Sequence, residues 1–312
     1  MNPEDKILRW IYLGVLAVIW GSSFILMKKG LIAFEPDQLG AIRMSVSFFS
    51  LLPLVLFRMK EVKKDRYKFI FATGILGNGI PAFLFAFAQV YIASAVAGML
   101  NSLTPVFVVI VGYLFFRTVF KLSHIAGVII GLAGASGLIL VSKGGNLDVN
   151  NVWFALLVVL ATVCYAFSVN IMRNYLHEVD AVLITGFALF AAGIPCTIYL
   201  FTTDFISRFS NVPQAWFSFG CIAALALLST SLSTILFNRL IKISSALYAS
   251  SVTYLIPLVA MLWGMLDSEP LGILHLISMT AILFGVYLIN LESIRDMRTR
   301  KAKAGKQEEL RS

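Results

Sequence analysis

The sequence predicts an all-α integral membrane protein: ten transmembrane helices, arranged as two inverted five-helix repeats around a central cavity. Three observations carry this. The 312 residues are 59% hydrophobic and only 13% charged, with a mean hydropathy of +0.88. A soluble domain carries about 25% charged residues, so too few are present to cover a water-facing surface. The apolar residues fall into ten long runs. The first five runs resemble the second five in order along the chain.

A spanning helix needs roughly 20 mostly apolar residues. The runs are 10–29, 38–57, 68–89, 94–116, 123–142, 152–172, 181–202, 215–238, 245–266 and 271–291. They are too long and too uniformly apolar for barrel strands of ~10 alternating residues. The first run is not read as a cleaved signal, because Lys28 and Lys29 follow it where a small-residue cleavage site belongs. With the N-terminus inside, twenty of the 25 basic residues fall in inner segments and four in outer ones (Lys28, Lys29, Lys143, Arg208), leaving Arg43 within a span. That asymmetry predicts two cytoplasmic termini. The basic tail, 293–312, lacks an apolar face and is expected to be disordered, with anionic lipid as its partner. The +9 charge is therefore topological and gives no sign of nucleic acid. Cys164, Cys196 and Cys221 lie within apolar runs, and their spacing suggests neither disulfides nor a metal site.

The internal similarity is specific in position. At an offset of 145, Trp20 matches Tyr165, Ser23 matches Ser168, Met27 matches Met172 and Lys28 matches Arg173. At an offset of 152, Ala97 matches Ala249 and Pro105 matches Pro257. Asp37 and Asp180 open the second and seventh runs. Five spans per half is an odd number, so the second half enters the membrane from the opposite side. Inverted repeats of this kind recur in secondary transporters, which bind substrate near the midplane between the halves. The expected units are 1–146 and 147–292.

"WGSSF" at 20–24, "DQLGAIR" at 37–43, "SLTP" at 102–105 and "YLIP" at 254–257 together resemble the EamA family of the drug/metabolite transporter superfamily, over about residues 8–292. The resemblance implies a carrier, often an exporter, of amino acids or other small metabolites in a bacterial inner membrane. It also implies a cavity walled by both halves. One departure stands out. The family often has a glutamate after each half's proline-bearing helix; Glu269 fits, but "FFRTVFK" at 115–121 has no acid.

A polar side chain at membrane depth needs a partner, a neighbouring helix or a wet cavity. Trp20 and Ser23 share a helix face near mid-depth and read as one wall of a pocket, or as helix packing. Tyr165 and Ser168 supply the matching wall. Arg43 lies roughly 9 Å into its span. Either it snorkels to the headgroups, or it faces the cavity to orient a carboxylate or pair with Asp37 or Asp267. Asn78, in the glycine-rich "GILGNGIP", either bonds loosened backbone or faces substrate. Asn101 and Thr104 precede Pro105, and Thr253 and Tyr254 precede Pro257; these residues are site candidates and the two prolines candidate hinges. Gln89, Asn170 and Asn238 are read as caps or water-facing groups. Gly127, Gly131 and Gly134 read as a close-packing seam.

No catalytic residue, metal or cofactor is predicted. "GASG" at 134–137 mimics an intramembrane serine protease loop, but His124, His177 and His275 sit at span ends or in loops, away from Ser136. None of the sixteen carboxylates lies deep in a span, which argues for facilitated diffusion or exchange over proton coupling. The expected partners are a small neutral or zwitterionic solute and the bilayer. The competing function is a membrane receptor or scaffold.

Overall fold

The computed structural model describes residues 3–58, 61–118, 122–141, 149–244, 249 and 251–290. The tail from 293, the stretch around Gly145 and the Asn238 side chain lie outside them. Among the described residues there are helices and no strand. Among these residues nine helices are long and apolar enough to cross a membrane, and a tenth apolar helix is shorter.

In order these are α1 (Pro3–Gly30), α2 (Pro36–Arg58), α3 (Lys64–Ala88), α4 (Ser94–Phe116), α5 (Leu122–Val141), α6 (Val149–Tyr175), α7 (Ala181–Leu200), α8 (Ala215–Ile241), α9 (Val252–Leu266) and α10 (Ile273–Asn290). The fifteen residues of α9 reach only about 22 Å at 1.5 Å each. The ninth run begins at 245, and residues 245–248 and 250 are not described.

Three helices depart from α geometry for reasons visible in their sequences. In α3, Gly74, Gly77 and Gly79 remove the side chains that hold a helix to regular spacing, and Ile75–Gly79 forms a π-turn. In α8, Leu227–Leu232 ("LLSTSL") does the same, with Ser233 Oγ bonding back to the Leu228 carbonyl at 2.8 Å. In α4, Pro105 lacks the N–H that would continue the preceding turn, and the helix breaks at 102–103. Pro257, its sequence counterpart, lies inside a continuous stretch of α9.

The helices pack in matched pairs. α2 lies along α7. α1 packs on α9, and α6 on the second half of α4; α1 also meets α8, and α6 meets α3. Exchanging α1 with α6, α3 with α8 and α4 with α9 turns each of these contacts into another of them. Leu39, Met99, Leu100, Leu103 and Val106 are fully buried between the helices, whereas Phe57, Leu266 and Trp216 are among many large apolar side chains facing outward. An aqueous protein does not display such a surface, which suits hydrocarbon.

The glycine seam is resolved into two contacts. Gly127 and Gly134 seat α5 directly on α10: a Cβ on Gly127 would lie 2.5 Å from the Gly285 carbonyl, and one on Gly134 would lie 2.8 Å from the Ile282 amide. Gly131 faces Val106 of α4 as well as Gly285. Asn170 is corrected: it is buried within α6, and its Nδ2 donates to the Val108 carbonyl at 3.0 Å and the Ala166 carbonyl at 2.9 Å. Gln89 is the C-cap residue of α3, as expected, but its side chain is buried, with Nε2 3.2 Å from Met27 Sδ.

Candidate functional site

"WGSSF" is a junction between helices. Trp20 Nε1 donates to the Ser229 carbonyl in the π-turn of α8 at 3.1 Å, and its ring leans on Phe237. Gly21 lets α1 approach α9 so closely that a Cβ would meet Val259 at 2.5 Å. Ser22 Oγ accepts from Trp263 Nε1 of α9 at 2.7 Å. Ser23 Oγ and Ser229 Oγ share a bond of 2.6 Å, while Phe24 packs on Phe85 of α3. A single turn of α1 thus holds α3, α8 and α9.

The opposite side repeats the plan more loosely. Ser168 on α6 sits against Gly77 in the π-turn of α3, in contact with the position where a Cβ would stand, and lies 3.5 Å from the Thr73 carbonyl. Gly77 and Ser229 are 152 residues apart, the offset already seen between Ala97 and Ala249. The serine of α6 therefore meets α3 as the serine of α1 meets α8.

Between these walls lies a cavity of about 410 Å³, within the ~300–1,000 Å³ of small-molecule sites. Nine of the ten candidate residues line it: Trp20, Ser23, Arg43, Asn78, Asn101, Thr104, Tyr165, Ser168 and Thr253. Tyr254 does not. Its phenol turns to α10 and accepts from Asn290 Nδ2 at 3.0 Å. Sequence reading missed Thr73, Thr185, Ser229, Thr230 and Thr234, which also line the cavity. The hydroxyl-rich "STSLST" at 229–234 was a legible signal for the last three.

Arg43 carries the only formal charge among the described lining residues. It lies within electrostatic reach of the Tyr165 phenol, across the gap between α2 and α6. It pairs with neither carboxylate suggested for it. Asp37 accepts from the Tyr199 hydroxyl, and Asp267 is taken by two lysines. Thr104 Oγ1 bonds the Asn101 carbonyl at 2.8 Å, so it serves the broken turn of α4 and not the Asn101 side chain.

Just past Met27, which lines the cavity, α1 enters a cluster of polar contacts. Lys28 bridges Asp267 and Glu269, both at 2.8 Å, and Lys29 bridges Asp267 at 2.5 Å. Glu269 also accepts from the Ser94 amide at 2.9 Å, its hydroxyl at 2.8 Å and the Ala95 amide at 3.0 Å, capping α4. In the first half, Thr118 approaches Gly112 much as Glu269 approaches Gly264, so a neutral hydroxyl stands where the acid is missing. Beside this cluster Arg208 ties Asp204, Glu35 and the Ala33 carbonyl together. Toward the other end the lining continues through Met172, three residues before α6 stops, and through Thr185 in the second turn of α7.

Ser136 is exposed and bonds the Leu132 carbonyl, and no group of three metal-ligating side chains occurs among the described residues.

The chain is similar to transporters over nearly its whole length. A protein of Archaeoglobus fulgidus named as an uncharacterized transporter is 26% identical over 90% of this chain and 98% of its own. The inner membrane transporter YedA of Escherichia coli strain K12, likewise uncharacterized, is 26% identical over 88% of each. An S-adenosylmethionine/S-adenosylhomocysteine transporter of Chlamydia muridarum is 24% identical over 89% of this chain and 90% of its own. A solved crystal structure of 16% identity shares the fold, with a TM-score of 0.59 over 95% of this chain and 99% of the other. The model of one transporter family matches twice, at residues 8–140 and again at 152–291. This multi-pass membrane chain, with its two successive matches, belongs to the EamA-like transporter family.

Proposed function

We propose that the protein is a secondary transporter of a bacterial inner membrane, without enzymatic activity or cofactor. It moves a small neutral or zwitterionic metabolite, an amino acid or a compound like one, by alternating access and in the direction of export. The observation that carries this reading is the cavity itself. Its walls are drawn from both halves at corresponding positions, Trp20 and Ser23 against Tyr165 and Ser168, with one π-turn on each side. The paired helix contacts, the double family match and the recurring offset support two inverted five-helix units of ten spans, over 1–146 and 147–292. Rocking one unit against the other then exposes the site to each side in turn. The ion pairs at the α1–α9 end support a conformation closed toward the periplasm, given the basic-residue asymmetry that puts both termini inside. The named substrates of the Chlamydia muridarum relative are α-amino acids, which favours that class here.

Among the described residues no carboxylate lines the cavity. A proton-driven carrier usually keeps an acid or histidine within the membrane, so uniport or exchange is favoured. Counterflow in proteoliposomes, with labelled amino acids and related metabolites, tests both points. Flux is expected, and it is expected to persist without a pH or sodium gradient. Strict dependence on either ion overturns the coupling. Saturable binding without flux of any solute favours a receptor and overturns the transporter.

A further inference from the structure

We infer that the cavity is a two-point clamp for a zwitterion, with Arg43 seating the carboxylate and the Asn101 side-chain carbonyl accepting from the ammonium. This rests on the transporter reading and assigns the poles of its substrate. Buried side-chain polar atoms are ordinarily hydrogen-bonded, and each exception calls for a reason. Several occur among the described residues, but only two belong to the cavity lining: Arg43 Nε and Asn101 Oδ1. One is a charged donor and the other an acceptor.

The chemistry of each atom limits its ligand. A guanidinium has five N–H donors and no acceptor, and its fork matches a carboxylate. Among the described residues no acidic side chain neutralises Arg43, and an unpaired cation away from bulk water is unfavourable by several kcal/mol. An anionic group arriving in the cavity removes that cost. A neutral solute leaves it in place. Asn101 Oδ1 needs a donor, and Thr104 cannot provide one because its hydroxyl is committed to the Asn101 main-chain carbonyl. Trp20 and Tyr165 line the same cavity, and aromatic rings attract an ammonium electrostatically. A simple monoanion satisfies Arg43 alone, a simple amine only Asn101. An α-amino acid satisfies both.

The test is ligand-induced thermal stabilisation of the purified full chain, with matched sets of probes. One set is L-leucine, L-leucinamide, 3-methylbutylamine and 4-methylpentanoate; the corresponding L-methionine and L-phenylalanine series are the others. In at least one series the amino acid is expected to bind at least about tenfold more tightly than its carboxamide, amine or des-amino acid. Arg43→Gln is expected to abolish the preference for acid over carboxamide, and Arg43→Lys to restore part of it. Asn101→Leu is expected to abolish the preference for the amino acid over the des-amino acid while keeping that for acid over carboxamide. Equal binding of acid and carboxamide, an unchanged preference in Arg43→Gln, or no stabilisation by any amino acid overturns the clamp. Counterflow separates this from the transporter reading: flux of a neutral solute unaffected by Arg43→Gln sinks the clamp and leaves transport standing, whereas absence of any flux sinks transport.

Discussion

Glu269 shows how much one side chain holds in the polar cluster at the end of α1. Its carboxylate is 2% exposed and meets four donors on two other segments. Burial pushes its carboxyl up, but Lys28, the Ala95 amide and the Ser94 donors together pull it below the ordinary range. Asp267 is held low by Lys28 and Lys29. Both shifts are downward, so the stabilisation is present above the ordinary carboxylate range and is lost as pH falls through the depressed folded values. Thermal stability is therefore expected to fall below about pH 4, and less so in Glu269→Gln, which no longer titrates. Glu269→Ala leaves two helix-start amides and the Ser94 hydroxyl without their acceptor and Lys28 with Asp267 alone, and a loss of about 2–4 kcal/mol is expected from chemical unfolding. A loss under 0.5 kcal/mol would show that the cluster is ornamental. Trp20 makes a different case, because it both lines the cavity and bonds the α8 π-turn. Trp20→Phe keeps an aromatic ring, though a smaller one, and loses one hydrogen bond, worth ~1 kcal/mol. Trp20→Ala removes a wall as well. We expect it and Tyr165→Ala to weaken substrate binding beyond their effect on folding, and the double mutant to lose less than the sum. Wild-type affinity in both single variants, measured on folded protein, would place the site elsewhere.

At the scale of the element, the π-turns are the features that regular helix reasoning overlooks. A π-turn is in effect one residue inserted into an α-helix. Deleting that residue restores α geometry while leaving the flanking stretches facing as before. For α8, deletion of Ser229 is expected to preserve most of the fold but break the contacts to Trp20 and Ser23, so transport falls far more than thermal stability. Equal transport and equal stability would mean that the turn serves neither. What the sequence made legible follows the same line. Helix positions were readable because apolar runs of spanning length have few other uses, and most lining residues stood out as polar groups in those runs. Thr73, Thr185, Ser229, Thr230 and Thr234 escaped because a threonine or serine in a helix commonly bonds its own i−4 carbonyl, as Thr234 does with Thr230. Only the packing shows that they also face a shared space. Tyr254 misled for the reverse reason: it precedes Pro257 in a motif resembling the first half's, yet one helical step turns it toward Asn290.

For the whole molecule, the consequence of the proposed two five-span units is topological. If the second unit is inverted, both ends of the chain face one side, and the charge asymmetry makes that side the cytoplasm. The end with Lys28, Asp267 and Arg208 then faces out, and the segment around Lys64 faces in. Single cysteines introduced after Gly145 and at Asn211, in a background lacking Cys164, Cys196 and Cys221, are expected to react with an impermeant maleimide added to intact cells. Cysteines near Lys64 and in the tail beyond 293 are expected to react only after the membrane is opened. Each set draws one position from the first unit and one from the second unit or the tail beyond it, so the pattern tests the inversion as well as the orientation. A tail accessible from outside while the Lys64 segment is protected would require an odd total of spans. The second unit would then lie parallel to the first, and the cavity could not be exposed alternately by equivalent movements of the two.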